Sequence, residues 1–543
     1  GFGGGGGGGE PRMNSRWNMS SGPAIAKNAT KAELKQSWAQ IRAARQAKMA
    51  ADGQQSGGLS TFDRFDRNQP LRHGGDARTG APGPAEPAGP VEPAEEPGPP
   101  PYEPRETGML RDFFSRSDIF ASWEKTRGDG WTNKNVANFF NKKKTSHGKE
   151  RDRGKKGHGT DMRKIGQLFN RFYRYAYDIN NGVDYVARAA KIAEESGSCD
   201  FLDFGFAPGG MTHLLLEAHK NMRGSGVTLD PEGGGNVWPR WMDNEPRFFP
   251  LVGDVVDMAC AEANLPALLK LPEDFEGFDF VIVGITIHQG HLLGMGDEGI
   301  PGHANELKDR LHFAQLYFAF KHLKPGGMVL MRHHMSVRLV DFHFLALMLS
   351  LFKPELSITN VIREQREKEE GAATAAGGVG GSSRRQGPEP AILATKPMAE
   401  FAIRKTYWVV YQGFDRDSCE QRKVLDILLD LLRAEPLKGP YTLNEEVEEK
   451  PYFNPILMGR DSDLNDVLEA YGDQAISVLN TVWRMQVVAL QGFMDGKRDR
   501  FCRYGDTCRQ WRNGRCHMAH YPDEMVPECW AALQALPQRD IVV

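Results

Sequence analysis

Between residues 199 and 414 short apolar runs alternate with longer stretches whose apolar positions recur at helical spacing. Phe201-Leu202-Asp203-Phe204 predicts a strand, a Gly-rich turn follows, and Met211 to Ala218 predicts a helix. Gly226 to Asp230, Phe248 to Val252, Phe280 to Val283 and Met328 to Met331 predict further strands, and Leu356 to Ile362 and Tyr407 to Tyr411 close the series. A long helix is expected over Leu307 to Leu323, ended by Lys324-Pro325-Gly326-Gly327. Short apolar strands separated by helices predict a parallel, doubly wound α/β sheet of about seven strands.

Outside that region the pattern changes. Residues 1–107 hold the run Gly1 to Gly9 and the Pro/Ala/Glu-rich stretch 81–101, which bury too little apolar surface to offset ordering entropy, so they are expected to be disordered. Lys31 to Met49 is the one helical patch expected within them. Residues 108–160 predict a basic, partly helical linker, with aromatic clusters around Phe113, Trp123 and Phe139 and a lysine-rich stretch from Lys142 to Lys156. Residues 161–414 hold the α/β domain, interrupted at 364–392 by a charged, then Ala/Gly/Ser-rich insertion. A helical extension (415–498, with helices at Cys419 to Ala434 and Ser462 to Phe493) leads to a Cys/His cluster at 499–525 and a tail at 526–543.

The turn after the first strand carries the first candidate chemistry. Asp203, Gly205, Ala207, Pro208, Gly209 and Gly210 link a strand to a helix N-terminus, where glycines admit a close ligand and the helix favours an anionic group. Tight strand–helix packing alone would use the same residues. Asp230 ends the second strand, where a carboxylate accepts hydrogen bonds from a ribose diol, and Asp254 ends the third, where it can face an adenine amino group. The bland alternative is that both begin turns.

These residues resemble a known family. Leu-Asp-Phe-Gly-Phe-Ala-Pro-Gly-Gly (202–210), Gly-Asp-Val-Val-Asp (253–257), Leu-Lys-Pro-Gly-Gly-Met-Val-Leu-Met-Arg (323–332) and Lys396-Pro397 leading to Tyr407–Phe414 are similar, in order, to the FtsJ/RrmJ-type RNA ribose 2′-O-methyltransferases. The resemblance implies a Rossmann-like S-adenosylmethionine-dependent methyltransferase fold, S-adenosylmethionine as cofactor rather than NAD, and RNA as partner. It also implies a Lys-Asp-Lys-Glu tetrad in which a lysine eases loss of the hydroxyl proton while the carboxylates tune it. This sequence has Gly284 where the aspartate is expected, Arg332 in place of the second lysine and Lys405 in place of the glutamate. Lys164 lies too far before Asp203, and Lys191 too close, to be the first lysine. Arginine does not act as a neutral base at physiological pH, although it binds phosphates and carboxylates.

Histidines offer a substitute. His288 and His291 follow the fourth strand, and His333 and His334 follow Arg332, so His288, Arg332 and His333 are the catalytic candidates. The competing reading is ordinary loop histidines. A ring-nitrogen acceptor would need less proton transfer than a ribose hydroxyl.

Cys502, Cys508, Cys516 and His520, spaced C-x5-C-x7-C-x3-H, resemble a CCCH zinc finger, and three thiolates with one imidazole suit a closed, structural tetrahedral Zn2+ site. Phe501, Tyr504, Trp511 and Tyr521 among Arg503, Arg509, Arg512 and Arg515 suit stacking on single-stranded RNA, with a protein-binding role as the alternative.

Composition narrows the rest. A net charge of −3 over 543 residues provides no global field towards nucleic acid, so any such contact must be local. Seven cysteines, an odd number without a disulfide framework, fit a reducing compartment. No apolar run reaches the ~18 residues of a membrane span and no leader pattern is visible, so the expected location is intracellular, nucleus or cytoplasm, without membrane and not secreted. Two functions stay open: an RNA methyltransferase helped by its finger, or a catalytically degenerate methyltransferase fold serving as an RNA-binding or scaffold module.

Overall fold

The computed structural model describes residues 105–133, 162–231, 235–285, 301–358, 392–433, 464–497, 519 and 522–536. Seven strands form one sheet: β1 Cys199–Phe204, β2 Met222–Thr228, β3 Phe248–Val252, β4 Phe278–Val283, β5 Leu323–His334, β6 Ile392–Thr395 and β7 Thr406–Gln412. Their order is β3-β2-β1-β4-β5-β7-β6. The first five pair in parallel, and β7 runs antiparallel to both β5 and β6. The α/β class is therefore that of the methyltransferase-type Rossmann-like sheet, with β7 alone reversed rather than the sheet wholly parallel.

Period-two alternation explains why the strands are apolar throughout. Phe201, Phe280, Ile282, Met328, Leu330, Trp408 and Val410 enter one core. Leu202, Phe204, Val281, Val283, Val329, Met331, Tyr407 and Val409 enter the other. Four helices cover the first face: α3 Met162–Val183, α4 Tyr185–Ser196, α5 Gly210–Ala218 and the single turn α6 Trp241–Asn244. The opposite face carries α1 Arg105–Phe114, α2 Asp118–Thr132, α7 Val255–Cys260, α8 Leu265–Leu268, α9 Pro301–His322, α10 Leu339–Leu351, α12 Arg416–Gln421, α13 Val424–Arg433 and the N-terminal half of α14 Leu464–Met494. A third, smaller core joins α11 Met398–Phe401, the C-terminal half of α14 and α15 Pro527–Gln534.

The aromatic cluster expected near residue 113 thus belongs to the main core. Phe114, Phe120 and Trp123 pack on Trp483 of α14, and Trp123 Nε1 donates to Gln486 Oε1 at 2.7 Å. One strand expectation is not met at its start, and residues 359–362 of it lie outside the described residues. Pro354–Leu356 is a turn of 3-10 helix where a strand is expected from Leu356, and the sixth strand is Ile392–Thr395. An edge strand of four residues is too short to reveal a period, whereas the run from Leu356 resembled a half-buried strand. Among the described residues no helix is long and apolar enough to cross a membrane. The expected N-terminal disorder, the helical patch 31–49, the insertion 364–392 apart from Ile392, and most of the Cys/His cluster lie outside the described residues.

The start of α5 is pinned by close packing. A methyl group on Gly210 would collide with the backbone of Phe172 and Tyr173 on α3. Gly210→Ala is expected to destabilise the protein by about 1–3 kcal/mol through overpacking. Denaturant unfolding checks this; an unchanged midpoint would mean that α3 does not approach α5 so closely.

Candidate functional site

The parallel strands all end at one edge of the sheet, and β1 and β4 lie side by side while their following connections leave to opposite sides. That is the topological switch point where open α/β sheets form a crevice. Because β7 is antiparallel, its N-terminal residues share this edge with the end of β5, and His334 pairs with Thr406. The fold therefore brings the residues after β1, β2, β3, β4 and β5, and those before β7, to one rim.

The turn after β1 occupies the middle of that rim. Gly205 and Gly209 have φ of 82° and 102°, values that favour glycine, and the Ala207–Pro208 bond is cis. Gly205 N donates to Val227 O at 2.7 Å, tying the turn to β2. A Cβ on Gly209 would collide with Met242 Sδ, and Ala207, Pro208, Gly209 and Gly210 are buried. Packing within the chain thus accounts for Gly209 and Gly210, while Gly205 remains half-exposed to the crevice.

The three aspartates differ. Asp203 is 2% exposed, below the turn, and accepts a hydrogen bond from Thr212 Oγ1 at 2.8 Å. Burial raises its pKa to about 7 despite the Thr212 bond. It supports the turn from beneath. Asp230, two residues beyond β2, is exposed, and so is Asp254, two beyond β3. Asp254 caps α7 through Val256 N at 2.9 Å, so it does have a helix-starting role. Gly205, Asp230, Asp254 and Ile285 are solvent-reachable positions following β1 to β4 on this edge, where carboxylates can accept from hydroxyl and amino donors and a glycine allows close approach.

The catalytic candidates are spread over both faces. His288 and His291 lie outside the described residues. His333 is 4% exposed, shares a hydrogen bond with Tyr411 Oη through Nε2 at 2.8 Å, and stacks on Tyr407. Burial lowers its pKa to about 3, keeping it neutral. His334 stands half-buried at the rim, its pKa likewise lowered to about 3 by burial and by the nearby Lys308. Arg332 pairs with Trp408 across β5–β7, and its buried Nε makes no hydrogen bond. Trp408 Nε1 donates to Tyr175 Oη at 2.7 Å beside it.

Gly284 has a physical explanation. A Cβ there would lie 3.1 Å from Trp408 Cη2, so the indole takes the space a side chain would need.

The opposite face holds an ion-pair network that the sequence reading missed. Arg338 pairs with Asp341 at 2.9 Å and Asp309 at 3.3 Å, and Lys308 lies 3.6 Å from Asp341. Although burial opposes it, Arg338 and Lys308 hold the Asp341 carboxyl well below the usual carboxylate range. The net reach of this network depends on residues 308–341 folding back on themselves, which leaves no local motif. Among the described residues no group of three or more His, Cys, Asp or Glu side chains is placed to hold a metal; Cys502, Cys508, Cys516 and His520 lie outside them.

No family model matches the chain. No curated protein matches it either. Solved structures do match. One is described as a ribosomal RNA methyltransferase from Plasmodium falciparum, at 12% identity and TM-score 0.25, covering 42% of this chain and 96% of that one. An S-adenosylmethionine-bound amino pentose methyltransferase from Micromonospora echinaspora matches at 15% identity and TM-score 0.17 over 33% of this chain and 54% of that one. DesVI from Streptomyces venezuelae matches at 15% identity and TM-score 0.20 over 32% and 58%. The chain therefore spans little more than half of the last two. Likeness at this level carries no argument about activity.

Proposed function

We propose that this protein is an S-adenosylmethionine-dependent methyltransferase acting on RNA, with Gly205, Asp230 and Asp254 contacting the cofactor and Asp203, Ala207, Pro208, Gly209 and Gly210 shaping the turn beneath it. The observation that carries the reading is a glycine turn at the β1/β4 switch point with two exposed carboxylates after the neighbouring β2 and β3, all on the same edge of the sheet. S-adenosylmethionine supplies an electrophilic methyl group; the chain's part is to pin the adenosine and align the acceptor.

Among the described residues the rim holds no lysine–carboxylate tetrad, and its described histidines are kept neutral with little basicity. A nucleophile with its own lone pair, such as a base ring nitrogen, fits this site better than a ribose hydroxyl. Arg332 is then a holder of an anionic or carbonyl oxygen and not a base. The test is calorimetric titration of the full chain with S-adenosylmethionine and its demethylated product. Micromolar binding supports the reading, and no binding up to millimolar sinks it. The second reading, a degenerate fold used as an RNA-binding module, is favoured by Trp408 filling the space over Gly284.

In this proposal the CCCH cluster is a structural zinc finger that delivers single-stranded RNA. Cys508→Ser is expected to remove the metal, read by elemental analysis, and to weaken RNA binding while leaving cofactor affinity unchanged. Full zinc occupancy in this variant would exclude Cys508 as a ligand.

A further inference from the structure

A surplus of positive charge stands at the rim, on the sheet face away from α5. Lys405 precedes β7, and its carbonyl accepts Met335 N, which places it beside His334 and Met335. His334, Ser336, Asp341, Tyr407 and Trp123 line one small cleft there. Arg127 of α2 lays its guanidinium over the Trp123 ring, 4.8 Å from the centroid. The N-terminal helices are thus folded against the same face of the sheet as this cleft.

The carboxylates in reach are already engaged. Asp341 and Asp309 are held by Arg338 and Lys308, and Glu124, one turn before Arg127, pairs with Arg111 at 2.7 Å. Among the described residues the side chains of Arg127 and Lys405 make no hydrogen bond or ion pair, and the buried Arg127 Nε is left without an acceptor. Both side chains are half-buried, so each loses part of its hydration, and the carboxylates that act on them, Glu124 on Arg127 and Asp341 on Lys405, are already paired with Arg111 and Arg338. Burial lowers the pKa of Lys405, and the neighbouring Arg127 lowers it further. Like charges held together at some cost at the sheet rim suit an anion.

We propose that Arg127 and Lys405 form a subsite for a phosphodiester of the RNA strand, seating the backbone beside the residue to be methylated. Arg127 presents a planar fork to phosphate oxygens while Lys405 provides a point charge. This deepens the RNA reading and rests on it. The two residues belong to segments far apart in the sequence, so the site exists only in the folded chain.

The experiment is fluorescence anisotropy of the full chain with a labelled single-stranded RNA over a salt series, beside calorimetry with S-adenosylmethionine. Lys405→Gln and Arg127→Gln are each expected to weaken RNA binding about 3- to 10-fold and to lower the salt slope by about 0.7. Lys405→Arg should retain the slope, and cofactor affinity should not change in any variant. Unchanged RNA affinity and slope in both glutamine variants would overturn the subsite, provided thermal unfolding shows them folded. If the protein binds cofactor but no RNA at low salt, the subsite and the RNA substrate both fall while the methyltransferase reading survives. If it binds RNA with the expected slope change but no cofactor, the subsite stands and the enzyme reading falls.

Discussion

Asp230→Ala is expected to weaken S-adenosylmethionine binding about 10- to 100-fold, the range for losing hydrogen bonds to a charged acceptor. The carboxylate stands exposed two residues past β2, on the strand adjacent to the turn that follows β1. Its removal therefore should cost binding and little stability, because exposed substitutions away from the core fall within about 0.5 kcal/mol. Asp254→Ala differs in one respect. That side chain also caps α7 through Val256 N, so its loss should cost about 1 kcal/mol of stability as well as some affinity. Calorimetry and denaturant unfolding on the same two variants separate these effects. Equal cofactor affinity in wild type and Asp230→Ala would remove the ribose contact from the site.

The two aspartates also show how far a sequence carries. Their place at strand ends was legible because β1, β2 and β3 are short apolar runs with a period that the chain announces locally. The same holds for β4, β5 and β7 and for α14, whose Leu464–Met494 span lies within two residues of the helix expected at Ser462 to Phe493. What was not legible depends on partners distant in the chain. Asp203 lies on the same strand end as the turn, yet only packing reveals that Thr212 covers it. The glycine at position 284 was visible, but the Trp408 indole that crowds it sits on a strand more than a hundred residues later. Lys405 was noticed as a departure from the family glutamate, while its companion Arg127 lay in a segment read as a linker. His333 was a reasonable base by position, and only its contacts with Tyr411 and Tyr407 show it to be core.

Asp203→Asn is expected to stabilise the protein at pH 8 and to flatten the dependence of stability on pH. The carboxyl titrates near 7 in the folded chain because burial disfavours its charge, against 3.8 as the ordinary value. Its folded pKa is raised, so this group's contribution to stability is fully present below about pH 4. It is lost as the pH rises from there through 7, and constant above. At 1.36 kcal/mol per unit the full shift corresponds to about 4 kcal/mol, an upper figure that water penetration and relaxation around the turn would reduce. Asparagine is neutral at every pH and its amide oxygen can still accept from Thr212 Oγ1, so the variant should keep the turn while losing the slope. Urea unfolding of both proteins at pH 5 and pH 8 reads the effect directly. The same slope in wild type and variant would mean that Asp203 is not the buried acid described here. A residue that weakens the fold at neutral pH has a reason to persist if its negative charge serves the crevice above it. The variant should accordingly gain stability and lose affinity for the positively charged cofactor, whereas the demethylated, uncharged product should bind nearly as before.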